Sequence, residues 1–220
     1  MKPGNFRLPP RLGLLLVCAA FGGGVVPAVA LGNTVHSTGA GGSWIAPSTW
    51  VGGVVPASGD DVVLHGPVTV QATQTCANLD VQAGASLTNG VVSPSVVVIN
   101  GAVSNHGWID DGLQILRLRV AGDLTDDGVW GNSETILIGN ADRHLVQTAA
   151  GTFECHLLRD AASAGALRID TPFAILGNLD QTGRQVVLAP GAHLTLRQGY
   201  ANGIIAANGN EIRFESWSFL

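Results

Sequence analysis

Short apolar segments recur along the chain and are separated by Gly, Asn and Asp. They lie at 79–81, 96–99, 116–120, 173–176 and 186–188. Apolar runs of this length, bounded by turn-forming residues, are typical of β-strands, and no window keeps a helical period for three turns. The pattern of hydrophobic and polar positions therefore predicts an all-β protein.

A seven-residue pattern, Gly-x-(Leu/Val)-x-x-x-Gly, follows several of these segments. Its copies are GASLTNG at 84–90, GAVSNHG at 101–107, GDLTDDG at 122–128 and GNLDQTG at 177–183. Gly turns the chain, the Leu or Val points inward, and Asn or Asp with the second Gly forms the next corner. Coils of this kind bury their apolar side chains only by stacking on one another. We therefore predict a single-stranded, right-handed parallel β-helix, with an antiparallel β-sandwich as the alternative.

The N-terminus has the three parts of a secretory signal peptide. Lys2, Arg7 and Arg11 supply positive charge, an apolar stretch follows at 12–21, and Ala30 ends a small-residue cleavage site. The apolar stretch is shorter than the roughly 20 residues that a membrane span needs, and no later segment is long enough. We expect cleavage of this leader and export of a bacterial protein to the periplasm, the cell surface or the extracellular space.

The chain without its leader is acidic. All 16 acidic residues remain against eight arginines, because the only lysine lies in the leader. A basic surface for nucleic acid or for anionic lipid is therefore not expected. We divide the chain into a cleaved signal peptide at 1–30 and one β-helix domain at 31–220, with an N-terminal cap at 31–62, coils at 63–210 and a capping strand at 211–220.

The two cysteines outside the leader give a separate test of the solenoid. Cys76 and Cys155 are 79 residues apart in sequence, so three or four coils lie between them. At about 4.8 Å per coil, their separation is roughly 14–19 Å, beyond the about 7 Å that a disulfide spans between Cα atoms. We therefore predict two buried free thiols.

The segment 42–70, GSWIAPSTWVGGVVPASGDDVVLHGPVTV, contains a Trp pair, a Gly-Gly-x-x-Pro turn and a Gly-Asp-Asp-Val corner. Over about 42–90 it resembles the opening of secreted bacterial right-handed β-helix proteins of the pectin-lyase-like and adhesin-like kinds, and also the start of the G8 domain. The resemblance implies the fold, export and a connection with extracellular glycans, and it supplies no catalytic motif. The matching positions are Trp44, Trp50, Gly52, Gly53, Pro56, Gly59, Asp60, Asp61 and Val62.

Both ends of a solenoid need protection, because the terminal strands expose unpaired edges. We assign this structural role at the N-terminus to Trp44, Trp50, Pro56, Asp60 and Asp61. The alternative for the two tryptophans is a platform on which sugar rings stack. The strict alternation near the C-terminus predicts the second capping strand.

Five side chains are candidates for ligand binding. Trp108 and Trp130 each follow a corner glycine, which predicts exposed aromatic rings, and His106 lies on the same side as Trp108 if the segment is extended. Arg117 and Arg119 share the outer side of a strand, opposite inward apolar residues. They are placed to bind an acidic glycan or to pair with neighbouring Asp, and a solvated outer face is the alternative.

Carboxylates occur in adjacent pairs at 60–61, 110–111 and 126–127. Carboxylates serve as acid and base in glycoside hydrolysis or as calcium ligands, but adjacent residues of a strand point to opposite sides, so each pair supplies at most one group per side. The alternative is that they are solvated turn residues that cap their own backbone. Asp123, Asp126 and Asp127 are the best candidates for calcium, although their spacing matches neither an EF-hand loop nor the nonapeptide calcium repeat. No catalytic residue and no cofactor other than this possible calcium ion is assigned.

These observations favour an exported, non-catalytic β-helix with a structural or adhesive role at the cell surface. A glycan-binding module is the alternative, and a small polysaccharide-cleaving enzyme is a further one. The expected partner is a polysaccharide or another surface protein.

Overall fold

The computed structural model describes residues 32–148, 151–198 and 201–214. The predicted signal peptide and the last six residues of the predicted capping strand lie outside the described residues. Nearly all regular structure in the described residues is β-strand, and the strands pair in parallel. A bridge between Ser37 and Trp50 is antiparallel.

The strands are short, as the interrupted apolar segments predict, and two 3-10 turns lie at Pro47–Thr49 and Val51–Gly53. In chain order the strands are β1 (Thr34–His36), β2 (Gly42–Ser43), β3 (Asp61–Leu64), β4 (Pro67–Val70), β5 (Gln74–Cys76), β6 (Leu79–Val81), β7 (Ser86–Asn89), β8 (Ser95–Ile99), β9 (Val103–Asn105), β10 (Trp108–Gly112), β11 (Leu116–Val120), β12 (Leu124–Asp126), β13 (Val129–Gly131), β14 (Glu134–Leu137), β15 (Arg143–Gln147), β16 (Thr152–Phe153), β17 (His156–Arg159), β18 (Leu167–Ile169), β19 (Phe173–Leu176), β20 (Leu179–Leu188), β21 (Leu194–Gln198), β22 (Ala201–Ala206) and β23 (Ile212–Phe214).

The strands stack into three faces, which the chain visits in the same order on each turn. Face 1 contains β1, β3, β6, β9, β12, β15, β18 and the end of β20. Face 2 contains β2, β4, β7, β10, β13, β16, β19, β21 and β23. Face 3 contains β5, β8, β11, β14, β17 and the beginning of β20. The result is a β-solenoid of about 7 turns, so the predicted parallel β-helix is confirmed over the antiparallel sandwich.

Inward and outward positions alternate along each strand, as period-two strands require. In β11, Leu116, Leu118 and Val120 are buried, whereas the two residues between them are half-exposed. Equivalent inward positions pair from coil to coil and form continuous apolar ladders. One ladder on face 1 runs through Val62, Leu79, Val103, Leu124, Leu145, Ile169 and Leu188.

The four copies of the seven-residue pattern do not occupy equivalent places in the coils. The copies at 101–107 and 122–128 stack, since Val103 pairs with Leu124 on face 1. The copy at 84–90 lies on face 2, and the copy at 177–183 begins on face 3. The pattern therefore marks a corner followed by an inward residue, which recurs on every face, and it does not mark the coil period.

The predicted N-terminal cap is already part of the coil, because β1 pairs with β3 and β2 pairs with β4. Trp44 and Trp50 are buried, with ring centroids 5.3 Å apart and nearly perpendicular rings. Trp50 Nε1 donates to the Trp44 carbonyl at 2.6 Å. Asp60 accepts the backbone N–H groups of Asn33 and Ala57.

The remaining residues of that assignment also have structural contacts. Pro56 is buried, and Asp61 accepts a hydrogen bond from Asn78 on the next coil. These five side chains therefore hold the first coils together, and the buried tryptophans offer no platform for sugar rings.

Cys76 and Cys155 are both buried free thiols, as predicted. Cys76 ends β5, and the ladder above it passes through Ile99, Val120 and Leu137 before the coil of Cys155. Four coil-to-coil steps therefore separate the two thiols, and this distance is too long for a disulfide.

Candidate functional site

Trp108 is an exposed aromatic side chain on the solenoid wall. It begins β10 on face 2, between Ser86 of β7 and Val129 of β13. Ile109 is completely buried, so strand alternation turns Trp108 outward, and 58% of it is exposed. The observed position of Trp108 agrees with the prediction that its ring is exposed.

His106 and Asp127 lie beside Trp108 on adjacent coils, at the corner that leads from face 1 to face 2. His106 Nδ1 and Asp127 Oδ1 are 2.6 Å apart, and both side chains are more than one-third exposed. The two residues come together because each directly follows a paired strand end, Asn105 in β9 and Asp126 in β12. The sequence singled out both residues, and the structure adds their contact.

Glycines form the floor of this corner. A Cβ on Gly107 would lie 2.4 Å from the Ala85 carbonyl oxygen, and a Cβ on Gly128 would lie 2.2 Å from the Gly107 carbonyl oxygen. Successive coils therefore stack here through bare backbone. A groove of about 320 Å³ results, and we call it the Trp108 groove, defined by His106, Gly107, Trp108, Asp127, Gly128 and Val129.

The Trp108 groove combines an apolar ring with hydrogen-bonding groups, an arrangement that can contact carbohydrate. An indole offers an apolar surface for a sugar ring, while an imidazole and a carboxylate offer a donor and acceptors for hydroxyl groups. Asp127 is the only carboxylate of the groove, since the adjacent Asp126 points into the core. Glycoside hydrolysis ordinarily uses two carboxylates across the scissile bond.

Trp130 does not belong to this surface, and its predicted exposure is wrong. It pairs with Ile109 on face 2 and is therefore inward, with no exposed area. Its Nε1 donates to Thr135 Oγ1 at 2.9 Å, and its ring packs 5.0 Å from that of Phe153. Strand alternation puts Val129 outward at the place where the sequence suggested Trp130.

Arg117 and Arg119 point outward on face 3, away from the Trp108 groove. Arg117 Nε donates to Glu134 at 2.5 Å, and an Arg119 terminal nitrogen donates to Asp160 at 2.7 Å. The predicted pairing with a neighbouring Asp is therefore observed for Arg119, whereas the partner of Arg117 is a Glu, which the prediction did not include. These contacts leave less of either guanidinium for an acidic glycan.

The proposed calcium residues are directed to three different places, which corrects the expectation of a shared site. Asp123 accepts the backbone N–H of His144, Asp126 is buried in the core, and Asp127 contacts His106. Within 32–148, 151–198 and 201–214, no group of three or more His, Cys, Asp or Glu is arranged to hold a metal ion.

The carboxylate pair at 110–111 organises the backbone. Asp111 accepts hydrogen bonds from the backbone N–H groups of Leu116 and Ser133, and also from the Ser133 hydroxyl. Asp110 accepts the N–H of Asp111. This is the alternative that the sequence left open for the Asp pairs.

Sequence reasoning missed a polar ladder inside the solenoid. Asn105, Asp126 and Gln147 stack on face 1, where Asn105 Nδ2 donates to Asp126 Oδ1 at 2.9 Å and Gln147 Nε2 donates to Oδ2 at 3.2 Å. Burial raises the pKa of Asp126 to about 6. The available signal was period two: each residue lies two positions after an inward Val103, Leu124 or Leu145.

Sequence reasoning also missed two inward arginines, which the same period of two indicates. Arg143 lies two residues before inward Leu145, and Arg159 lies two residues after inward Leu157. Both side chains are buried. The same alternation that places Arg117 outside therefore places these two inside.

Comparisons with protein-family models, with curated proteins and with solved structures found no match. In the part of the chain that the structure describes, no helix is both long enough and apolar enough to cross a membrane.

Proposed function

We propose that this protein is an exported, non-catalytic β-solenoid with an adhesive role at the cell surface, and that it binds carbohydrate through the Trp108 groove. Export is inferred from the leader, whose charge, apolar stretch and Ala30 site have the form of a signal peptide. The resemblance of 42–90 to secreted β-helix openings and to the G8 domain supports the same setting.

The observation that carries the proposal is the exposed indole of Trp108 beside the half-exposed His106–Asp127 pair. Large apolar side chains at a concave site with a few polar groups are typical of ligand sites. The groove is open along the solenoid wall, which suits an extended chain more than a small enclosed molecule.

A binding role is favoured over cleavage because the paired carboxylates have structural partners. Asp60, Asp61 and Asp111 each accept hydrogen bonds that fasten turns or neighbouring coils. Asp126, whose raised pKa suits a general acid, is buried away from the groove.

The test is binding of the purified protein to a panel of neutral and acidic polysaccharides, with the soluble fraction checked for fragments by mass spectrometry. We expect at least one polysaccharide to bind without fragments. Trp108→Ala should weaken that binding at least tenfold, since buried aromatic contacts dominate interface energies. His106→Ala should weaken it less.

Leu113→Ala is the matched control, because Leu113 is 65% exposed and directly follows Gly112, the last residue of the same strand. It should leave binding unchanged. Equal losses for the two variants would show that general surface apolarity, and not the groove, is responsible. Release of fragments would replace the binding role with an enzymatic one, and folded protein that binds no polysaccharide would leave a purely structural role.

A further inference from the structure

Two histidines from neighbouring coils meet near the N-terminal end of the solenoid. His36 ends β1 on face 1, and His65 directly follows β3, the strand that pairs with β1. His36 Nδ1 and His65 Nε2 are 3.0 Å apart, the ring centroids are 5.3 Å apart, and the ring planes differ by 12°. The two residues are 29 positions apart in sequence, so no short motif indicates the pair.

Contacts between the two coils hold the backbone of both histidines in place. The Ser37 N–H donates to the Val63 carbonyl at 2.9 Å, and the His65 N–H donates to Ser37 Oγ at 2.8 Å. A Cβ on Gly66 would lie 2.5 Å from the Gly39 carbonyl oxygen, so the coils also stack through bare backbone directly after His65. Ser37 is buried, whereas both imidazoles are exposed. The fold therefore fixes the two backbone positions and leaves the rings in solvent.

The distance between the two ring nitrogens suits two ligands of one metal ion. Imidazole nitrogens lie about 2.0–2.1 Å from a bound transition metal, so two of them at an angle of roughly 90–109° are about 2.9–3.4 Å apart. The observed 3.0 Å lies within this range. Because both rings are exposed, a small rotation of each directs both lone pairs at one ion. The proton that the two nitrogens share in their hydrogen bond must then leave, so metal and proton compete for the pair.

We propose that His36 and His65 together bind one divalent transition-metal ion, with Cu²⁺ preferred to Zn²⁺. Imidazole suits both ions, but Cu²⁺ generally binds nitrogen ligands more tightly and accepts a tetragonal arrangement that water completes. Ca²⁺ and Mg²⁺ prefer oxygen ligands and should not bind here. The ion joins the first coil to the second. This site is separate from the Trp108 groove, where His106 contacts a carboxylate, and it does not depend on the carbohydrate proposal.

The first experiment is calorimetric titration of the purified, untagged protein with Cu²⁺ in a buffer that does not bind copper. We expect one tightest-binding Cu²⁺ per chain, displaced by excess Zn²⁺ and not by Ca²⁺. The affinity should fall as the pH is lowered, because protons occupy the imidazole nitrogens. Electron spin-echo envelope modulation of the one-to-one complex counts the imidazoles bound to copper, and it should detect two.

His36→Gln and His65→Gln should each weaken Cu²⁺ binding at least tenfold and leave at most one coordinated imidazole. The double variant should bind little more weakly than either single variant, because the loss of one ring already removes the shared site. His156→Gln is the matched control, since His156 is an exposed histidine on β17 that contacts the Asn178 backbone, and it should change neither result. All three side chains are exposed, so the variants should fold, which circular dichroism checks.

Wild-type protein that binds Cu²⁺ no more tightly than the double variant would overturn the proposal. A single coordinated imidazole in the wild-type complex would do the same, since the ion would then rest on one histidine. An equal loss of affinity in His156→Gln would place the ion elsewhere on the chain. Additive losses in the two single variants would indicate two independent sites and would also refute a shared ion.

Discussion

The buried carboxyl of Asp126 should make the stability of this solenoid depend on pH in an unusual direction. Asp126 is 1% exposed, and burial is the largest cause that raises its pKa from 3.8 to about 6. Repulsion from Asp127 adds to this effect, whereas hydrogen bonds from Asn105, Gln147 and Gly128 oppose it. The Asp126 carboxyl therefore binds its proton more tightly in the folded chain than in the unfolded chain.

The sign follows from proton linkage. Between the unfolded pKa near 4 and the folded pKa near 6, the folded state holds more protons, so the free energy of unfolding rises as the pH falls. This rise in the pKa of Asp126 corresponds to a stabilisation of the folded state by roughly 3 kcal/mol. The stabilisation is fully present below the unfolded pKa and is lost above the folded pKa. About 2 kcal/mol of this should be recovered between pH 8 and pH 4.5.

The assay compares urea unfolding of the wild type and Asp126→Asn at several pH values and constant ionic strength. The variant has no titrating group at position 126. Its new amide lies next to the Gln147 amide, and this contact lowers the free energy of unfolding by an amount that does not change with pH. The difference in free energy of unfolding should therefore shift by about 2 kcal/mol in favour of the wild type on going from pH 8 to pH 4.5. A difference that stays constant over this range would refute the reasoning.

Asp160→Asn provides a control of opposite sign. The backbone N–H of Ala162 and the Arg119 guanidinium lower the pKa of Asp160, so its contribution to stability is present above its unfolded pKa and lost as the pH falls. The difference in free energy of unfolding between the wild type and Asp160→Asn should therefore decrease in acid. Under the same conditions, the difference for Asp126→Asn moves in favour of the wild type.

Three further predictions follow from packing. Gly128→Ala should lower the thermal midpoint by the equivalent of about 1–3 kcal/mol, since its Cβ would lie 2.2 Å from a carbonyl oxygen of the preceding coil, whereas Gly131→Ala, with its nearest atoms at 3.7 Å, should change it little. Cys76 and Cys155 should not react with a thiol reagent at pH 8 until urea unfolds the chain, because burial raises the pKa of both thiols; rapid reaction of the native protein would contradict this. Leu118→Ala in the fully buried ladder should reduce the free energy of unfolding by about 2–5 kcal/mol, measured by urea titration, and a loss below 1 kcal/mol would contradict close packing.

Period-two alternation made part of the site predictable. Leu116 and Leu118 inside fix Arg117 and Arg119 outside, and the corner before Trp108 makes its exposure a natural expectation. The same alternation holds in the strands at 143–147 and 156–159, where an arginine lies two positions from a buried leucine and therefore points inward. The inward direction of those arginine side chains was predictable, although the shortage of hydrogen-bond acceptors for some of their nitrogens was not.

Local turn chemistry and the spacing of apolar segments were enough to indicate short strands, to favour a parallel solenoid over an antiparallel sandwich, and to separate the two cysteines by several coils. Which strands stack became evident only in the folded chain, where Leu87, Val103 and Leu179, which have similar local patterns, lie on three different faces. The tertiary structure also decided that His106 meets Asp127 and that Trp130 is buried. Pairing register joins residues about twenty positions apart in sequence. It is set by how all the coils pack together, so it cannot be predicted from any short segment.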